Sequence, residues 1–234
     1  MPPVCIGSRP TRETVQMRIC FVQNHSANNE GIYLQSLGNH IRYFDSHNYD
    51  FYTNMTPYHR HFDPDVYKML IYKYDYVITV GSDIYFTDLK RPVEDFIDRN
   101  FDMMIDFDNN VEYTSVNGDF IVFSTNLSNS FWKLFPLYNN DCTQDFINFI
   151  SLTDHPGVVN EKHRRQLQRL KERIKIYPPR TMQSFMPYER NLPEERVWHP
   201  GDFSVHFHTA GYGCDNNLKF TLMQKFAKEF PAYI

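Results

Sequence analysis

The sequence predicts an α/β fold: a single domain with a mostly parallel, mixed central sheet flanked by helices. Short apolar runs bounded by polar residues, typical of buried strands, alternate along the chain with segments of helical spacing. The length of 234 residues suits one domain of this class. Hydrophobic residues make up 41% of the chain and charged residues 22%, so we expect a packed core rather than global disorder.

The first third of the chain gives two strand signals and two helix signals. The apolar run "MRICFVQN" (17–24) predicts a buried strand, and the apolar residues of 32–48 lie close to helical spacing. A second strand is expected at 49–54. In "DPDVYKMLIYKY", Asp63 is a candidate N-cap and Pro64 fits the first helical position, so we expect a helix to begin there.

The middle of the chain continues the alternation. The β-branched run "YVITV" (76–80) predicts a strand, and "RPVEDFIDRN" (91–100) predicts a short helix with Pro near its start. Two further strands are expected, at 101–108 and 118–124. The segments "LSNSFWKLFPLYN" and "TQDFINFISL" are predicted to be helices.

The C-terminal part of the chain supplies the last elements. Residues 160–175 predict an amphipathic basic helix, and "IKIYP" (174–178) predicts a strand. The segment "GDFSVHFHTAG" (201–211) alternates as a strand does, and 216–230 predicts a closing helix.

Charge and hydropathy exclude some classes of partner. The net charge is −4, and the strongly basic stretch at 161–175 alternates charges at helical spacing, which is typical of a solvated helix face. Nucleic acid is therefore not expected as a partner. No run of 18 apolar residues occurs, so the sequence predicts no membrane span.

The cysteines and the N-terminal segment bear on compartment and domain limits. The four cysteines show no C-x-x-C spacing, which favours reduced thiols over a disulfide framework. Residues 1–16 are polar and Pro-rich without an apolar signal core, so we expect a flexible arm there and a cytoplasmic protein. We expect residues 17–234 to form the domain.

A carboxylate at the end of a predicted strand is the first candidate for a functional group. In "YDYVITVGSDIYFTD" the apolar run ends at Gly81-Ser82-Asp83. Open α/β sheets bind ligands outside the carboxyl ends of their strands, and Asp83 is there. Its carboxylate suits a hard cation such as Mg²⁺ or Mn²⁺, although a strand-end Asp is also a common turn residue.

Two histidines on one strand face give the second candidate. In "DFSVHFHT" the alternation puts Asp202, Ser204, His206 and His208 on one face and Phe203, Val205 and Phe207 on the other. Imidazole together with carboxylate suits Mn²⁺ better than Ca²⁺. A structural role for both rings is the alternative.

Two polar pairs are weaker candidates. Asn117-Gly118 is either an Asn-Gly turn or an amide beside a glycine that a ligand can approach closely. Gln144-Asp145 is either a helix start that complements the helix dipole or a polar pair that projects into a cleft.

Several of these segments together resemble nucleotide-sugar-dependent glycosyltransferases of the GT-A fold. The likeness is strongest to the galactosyl-, mannosyl- and xylosyltransferase group, which includes yeast Golgi mannosyltransferases and plant xyloglucan xylosyltransferases. The segments occur in the family's order and span about residues 18 to 211. They are "HNYDFYTN", "DVYKMLIYKYDYVITVGSDIYFTD", "VNGDFIVFSTNLSNSFW", "TQDFI" and "WHPGDFSVHFHTAG".

The resemblance implies a metal site. Asp83 matches the last Asp of the family's D-x-D segment and would ligate Mn²⁺ or Mg²⁺ on the donor diphosphate, whereas Gly81 stands in place of the first Asp. The family's further ligand is a histidine, which is His206 or His208 here, and we favour His208 because it is nearer the loop. "DFD" (Asp106, Asp108) is a rival D-x-D by pattern alone.

The resemblance also implies donor and acceptor residues. The residues that would line the donor side are Ser82, Lys68, Asn117, Gly118 and Gly211. Gln144 and Asp145 are candidates to stabilise the reacting sugar, and Asp108 or Asp145 would be the general base if the reaction inverts.

The function expected from this likeness is a metal-dependent glycosyltransferase that moves a sugar from a UDP-sugar to a glycan or glycoprotein hydroxyl, with retention. Small soluble relatives of this kind occur in bacteria and large algal viruses, so a virus-encoded enzyme acting in a host cytoplasm fits. A catalytically weakened sugar- or nucleotide-binding relative, suggested by Gly81, and a metal-dependent phosphoesterase are the alternatives.

Overall fold

The structure is a computed structural model that describes the chain in eight parts. These are residues 17–26, 29–55, 64–109, 114–127, 131, 161–186, 192–208 and 215–234. The arm expected at 1–16 and nearly all of the two helices expected between 127 and 152 lie outside the described residues.

Nine strands and four α-helices are found in the described parts. The strands are β1 (Ile19–His25), β2 (Asp50–Met55), β3 (Tyr76–Gly81), β4 (Ile84–Phe86), β5 (Met103–Asn109), β6 (Thr114–Ser124), β7 (Ile174–Tyr177), β8 (Ser184–Phe185) and β9 (Ser204–His206). The helices are α1 (Glu30–His47), α2 (Pro64–Leu70), α3 (Glu161–Lys171) and α4 (Asn216–Glu229). Short 3₁₀ helices cover Val93–Phe96, Glu194–Arg196 and Pro231–Tyr233.

The main sheet has six strands in the order β2-β1-β3-β6-β5-β7. β1 pairs in parallel with β2 and β3, and β5 pairs in parallel with β7. β6 is antiparallel to both of its neighbours, β3 and β5. The predicted mixed α/β fold is therefore confirmed.

Both faces of the main sheet are buried, as expected for a sheet covered by helices. On one face, residues of β1, β3, β5 and β6 pack with Tyr67 and Leu70 of α2 and Leu167 and Leu170 of α3. On the other face, alternate residues of the same strands pack with α1. The second face is rich in aromatic rings, and the Phe21 ring stacks on Phe44 with 4.5 Å between centroids.

A second sheet of three strands, in the order β4-β9-β8, lies outside what the sequence predicts. β4 and β9 are antiparallel, and β8 and β9 are parallel. One face of this sheet packs against α1 and α4 through a third apolar cluster that contains Tyr85, Val205, Phe207 and Phe226.

Several predicted elements differ from the structure in extent. β6 begins at Thr114 rather than at 118, and α2 ends at Leu70 rather than at 74. The helix expected over 91–100 is only the 3₁₀ helix Val93–Phe96. The strand expected over 201–211 is β9 alone, and Phe203 just before it packs in the α1-side cluster of the main sheet, apart from Val205 and Phe207. Strict alternation holds only within the hydrogen-bonded strand, so it does not extend back to Phe203.

Among the residues that the structure describes, none of the helices combines the length and the apolar character needed to cross a bilayer.

Candidate metal and donor site

Asp83 lies in the tight turn that joins the two sheets. β3 ends at Gly81, Ser82 and Asp83 make the turn, and β4 begins at Ile84. The backbone carbonyl of Asp83 accepts a hydrogen bond of 2.8 Å from the N–H of Phe207. The turn is therefore fixed to the end of β9, and the side chain of Asp83 is only 13% exposed.

Asp119 stands beside Gly81 on the neighbouring antiparallel strand. The β3–β6 register pairs Val80 with Phe120, so Gly81 faces Asp119 one step further on. A Cβ added at Gly81 would lie 3.2 Å from the Cβ of Asp119 and 2.8 Å from Oδ1 of Asp83. The carboxylates of Asp83 and Asp119 therefore occupy the space that a side chain at position 81 would need.

An irregularity in β6 accompanies this placement. The β5–β6 pairs Ile105–Ile121 and Phe107–Val116 show that β6 shifts register between them. Extra residues in one strand of an antiparallel pair bend that strand and re-aim its side chains. The residues in the irregular stretch include Asn117, Gly118 and Asp119.

His206 completes the group. It is fully buried on β9, opposite Ile84, and its Nε2 lies 3.5 Å from Oδ2 of Asp83 and 3.3 Å from Oδ2 of Asp119. Asn117 orients the ring through a contact with its other nitrogen, Nδ1. Oδ1 of that amide accepts from the N–H of Asp119 at 2.9 Å, so its Nδ2 faces His206 Nδ1 at 3.1 Å. Nε2 is thereby directed at the two carboxylates.

The geometry of the group fits a divalent metal ion. Among the described residues, one atom from each of Asp83, Asp119 and His206 lies within 4.8 Å of the others. Ligands about 2.1 Å from an ion at tetrahedral or octahedral angles are roughly 3.0–3.5 Å apart. The two separations from His206 Nε2 lie in that range. Nε2 is buried without a well-formed hydrogen bond, and its near neighbours are the two carboxylates.

The charges of the group influence one another strongly. Burial acts to raise the pKa of Asp83, but Lys219 and His206 outweigh it and hold that pKa well below its ordinary value. Burial acts to lower the pKa of His206, but the carboxylates of Asp83 and Asp119 raise it above its ordinary value. The lowered pKa favours the carboxylate form of Asp83, which is the form that ligates a metal.

Lys219 of α4 also reaches the group. Its ammonium forms a hydrogen-bonded ion pair with Oδ2 of Asp83, and its side chain is only 12% exposed. Lys68 is the lysine that the resemblance places on the donor side, and that expectation is not tested by its position on α2. That residue forms a half-exposed ion pair with Asp65 on α2, with 3.0 Å between the charged atoms.

The other expected site residues fall into two groups. Ser82 and Gly118 are buried beside Asp83 and Asp119. The preferred histidine, His208, is not part of the metal-competent group; its ring centroid lies 5.5 Å from that of His206. Gln144, Asp145 and Gly211 lie outside the described residues, and Asp108 is described only by its backbone in β5.

The rival D-x-D segment has a structural carboxyl group at its first position. Oδ2 of Asp106 accepts hydrogen bonds from the N–H groups of Met182 and Gln183, at 2.8 and 2.9 Å. Burial raises the pKa of Asp106 to about 8 despite these two donors. A carboxyl group that is protonated at neutral pH is a poor metal ligand, so Asp106 does not compete with Asp83.

Asp119 and Lys219 were missed by the sequence analysis. A signal for Asp119 was present, because period-two alternation on one strand places it on the same face as Asn117. Nothing local marks Lys219, which is 136 residues from Asp83 along the chain.

Polar and aromatic groups continue the site along the same sheet edge. β1 and β3 are parallel neighbours with Asn24 paired to Gly81, so their carboxyl ends meet at one edge. Nδ2 of Asn24 donates to Oγ1 of Thr79 at 2.8 Å. Beyond it, the ring of His25 stacks on Tyr33 with 4.1 Å between centroids.

The fold is similar to those of solved glycosyltransferases. A glycosyltransferase involved in the glycosylation of the major capsid of PBCV-1 superposes with a TM-score of 0.56 at 13% identity, over 89% of this chain and 99% of that protein. The bifunctional glycosyltransferase WbbM gives 0.53 at 12% identity, over 95% of this chain and 52% of WbbM. The apo form of GlyE from Streptococcus pneumoniae TIGR4 gives 0.50 at 10% identity, over 92% and 64%. The chain therefore has a GT-A-like glycosyltransferase fold.

Comparison with models of known protein families finds no match. Comparison with curated protein sequences finds none either.

Proposed function

We propose that this protein is a metal-dependent glycosyltransferase that moves a sugar from a UDP-sugar to a hydroxyl group of a glycan or glycoprotein. The observation that carries the proposal is the group formed by Asp83, Asp119 and His206. It lies at the carboxyl end of β3, in a fold shared with glycosyltransferases.

Asp83, Asp119 and His206 would hold the metal ion, which we expect to be Mn²⁺ or Mg²⁺. The set of two carboxylates and one imidazole suits Mn²⁺ in particular. When bound, such an ion neutralises charge on the leaving nucleoside diphosphate. The buried turn at Ser82 fixes Asp83 before a donor arrives. For Nε2 of His206 to ligate the ion, Nδ1 would carry the ring proton, and the Asn117 amide would turn its oxygen rather than its Nδ2 toward Nδ1.

The donor nucleotide would lie along the edge formed by the ends of β1 and β3. The stacked rings of His25 and Tyr33 offer an apolar, aromatic surface of the kind on which a nucleobase packs. Gly118, which lacks a side chain, would let the sugar approach β6 closely. Retention of stereochemistry is part of the proposal, with Gln144 and Asp145 as the residues expected beside the reacting carbon.

The proposed acceptor is a hydroxyl group of a glycan or glycoprotein. Of the similar structures, one acts in the glycosylation of a viral capsid protein. A glycoprotein or glycan hydroxyl is therefore the acceptor class that we propose here. If the reaction inverts, Asp108 or Asp145 would take the hydroxyl proton.

The site composition favours this function over the two alternatives. Among the described residues, a single group of metal-competent side chains occurs, whereas two-metal phosphoesterases need two ions about 4 Å apart. A catalytically weakened relative was suggested by the missing carboxylate at Gly81. Asp119 supplies a carboxylate at that place, which removes the reason for that alternative.

The proposal is tested by UDP binding with and without metal. We expect calorimetry to detect UDP with Mn²⁺ and not with EDTA, and GDP, CMP and dTDP to bind more weakly. Asp119→Asn should weaken Mn²⁺-dependent UDP binding about tenfold or more, because an amide is a poorer ligand and removes a charge. Asp65→Asn, the same change in an exposed ion pair on α2, should leave binding unaltered.

Slow release of UDP from a UDP-sugar without acceptor would then separate a working transferase from a binding protein. Equal UDP affinity with Mn²⁺ and with EDTA would overturn the metal-dependent proposal.

A further inference from the structure

Lys219 is placed at the metal-competent group by the packing of α4. The helix begins after Asp215, whose carboxylate accepts hydrogen bonds from the N–H groups of Asn217 and Leu218. Lys219, Met223 and Phe226 follow at spacings of four and three residues and so share one face. Met223 and Phe226 are fully buried against the second sheet. The lysine side chain is therefore on the packed face of α4.

The ammonium of Lys219 engages the same oxygen that a metal would use. Oδ2 of Asp83 is the atom 3.5 Å from His206 Nε2, and it is also the atom that Lys219 contacts. A metal ion bound between Asp83 and His206 would therefore lie within a few ångströms of the ammonium. Two cations that close repel each other strongly in a buried site.

The position of Lys219 on its helix indicates that the carboxylates hold it there. A cation near the N-terminus of a helix is disfavoured by the helix dipole. Conversely, two largely buried carboxylates with no cation nearby are destabilising, because their desolvation is not offset. Lys219 supplies that compensation to Asp83 when no metal is bound.

We propose that Lys219 is the counter-cation of the metal-free site, and that a divalent ion and the Lys219 ammonium exclude one another from Asp83. The inference rests on the proposed function, because it concerns the same three ligands. Metal binding then requires the lysine side chain to leave Asp83. Lys219 thus sets the metal affinity of the free protein and couples metal binding to the position of the first turn of α4.

The test measures Mn²⁺ binding to the nucleotide-free protein, from the loss of the free-ion electron paramagnetic resonance signal. The variant is Lys219→Met, which keeps an unbranched chain that suits a helix and removes the charge. Lys225→Met is the matched control, since Lys225 lies on the same helix and forms an exposed 3.8 Å ion pair with Glu229. We expect Lys219→Met to bind Mn²⁺ about tenfold or more tightly than wild type, and Lys225→Met to match wild type.

A thermal unfolding measurement supplies a second readout. Without metal, Lys219→Met should unfold at a lower temperature than Lys225→Met, because Asp83 loses its ion pair with the Lys219 ammonium. Saturating Mn²⁺ should raise the melting temperature of Lys219→Met more than that of wild type.

The outcomes separate this inference from the proposed function. If wild type and Lys219→Met bind Mn²⁺ equally, and Asp83→Asn abolishes binding to both, the metal site stands and the exclusion by Lys219 is overturned. If neither binds Mn²⁺, both proposals fail. If only Lys219→Met binds it while wild type transfers sugar without metal, exclusion by Lys219 is supported and metal dependence is overturned.

Discussion

Gly81 and Asp119 face each other across two antiparallel strands, and together they decide how many carboxylates the site contains. The space next to Gly81 is filled by Oδ1 of Asp83 and by the side chain of Asp119. An aspartate at position 81 would therefore have to displace both. The segment "GSD" lacks the first carboxylate of a D-x-D segment. Asp119 on the adjacent strand β6 supplies a carboxylate in its place.

This arrangement makes a prediction about exchanging the two positions. Gly81→Asp alone should destabilise the protein by about 1–3 kcal/mol, because its Cβ would lie 2.8 Å from Oδ1 of Asp83 and would force that side chain to move. Asp119→Gly alone should lose Mn²⁺-dependent UDP binding. The double variant should recover a large part of that binding, measured by calorimetry. A double variant that binds no better than Asp119→Gly would contradict the spatial exchange.

Our choice of His206 rather than His208 as the proposed ligand also rests on the scale of residues. Period-two alternation gives the two rings the same face, so the sequence leaves both open. Their distances to other strands differ, because His206 pairs with Ile84 next to Asp83 while His208 lies beyond the end of β9. The ligand that we propose is therefore set by the pairing of β9 with β4.

At the scale of elements, Asp106 joins the two sheets. It lies on β5 of the main sheet, and its Oδ2 accepts from the N–H groups of Met182 and Gln183, just before β8 of the second sheet. Ser204 of β9 in turn donates its hydroxyl to the carbonyl of Met182 at 2.7 Å. The strand that carries His206 is thus positioned through this contact.

The raised pKa of Asp106 predicts how stability depends on pH. Burial raises the pKa to about 8 in the folded protein, above the ordinary value near 3.8 of an unfolded chain. The folded state therefore binds more protons, and the stability due to this group is lost as pH rises from about 4 to about 8. Between pH 5 and 7, the unfolding free energy of wild type should fall by about 1.4 kcal/mol per pH unit more than that of Asp106→Asn.

Urea unfolding at pH 5, 6 and 7 measures this difference. The asparagine side chain keeps an oxygen that can accept from the two N–H donors, and it cannot ionise. The variant therefore removes the charge of Asp106 while it preserves these two hydrogen bonds. Parallel pH slopes for the two proteins would show that Asp106 is ionised in the folded state at these pH values.

Elements with strong local patterns were predictable from the sequence, whereas the second sheet was not. β1, α1, β2 and β3 each lie within about two residues of their expected limits, because each has a continuous apolar or periodic pattern. β4, β8 and β9 have only three, two and three residues. Strands as short as β4 and β8 carry no period of their own. The alternation over 201–211 predicts β9 as a strand, but it does not predict that β9 pairs with segments far apart in the chain.

At the scale of the whole molecule, the sequence predicted where the candidate site lies better than it predicted which residues form it. The carboxyl end of "YVITV" and the "DFSVHFHT" segment are both part of the group, as expected from the strand-end rule. Asp119 and Lys219 enter it through the register of β3 with β6 and through the packing of α4. Register and helix packing are properties of the folded chain, and a single sequence does not reveal them.

The whole fold brings four distant parts of the chain to one sheet edge. Asp83 follows β3, Asp119 lies on β6, His206 on β9 and Lys219 on α4. The Lys219 ammonium offsets the charge of Asp83 there without metal, and the two carboxylates and the imidazole are close enough together to bind an ion. This balance is the basis for both the proposed transferase activity and the proposed role of Lys219.

The most direct test is an anomalous difference map from crystals grown with Mn²⁺ and UDP, with data collected on both sides of the manganese absorption edge. We expect one manganese peak within about 2.3 Å of Asp83, Asp119 and His206 Nε2, with the Lys219 ammonium moved away from Asp83. The diphosphate of UDP should contact the same ion. A manganese peak at His208, or a bound diphosphate with no metal beside Asp83, would contradict the proposed site.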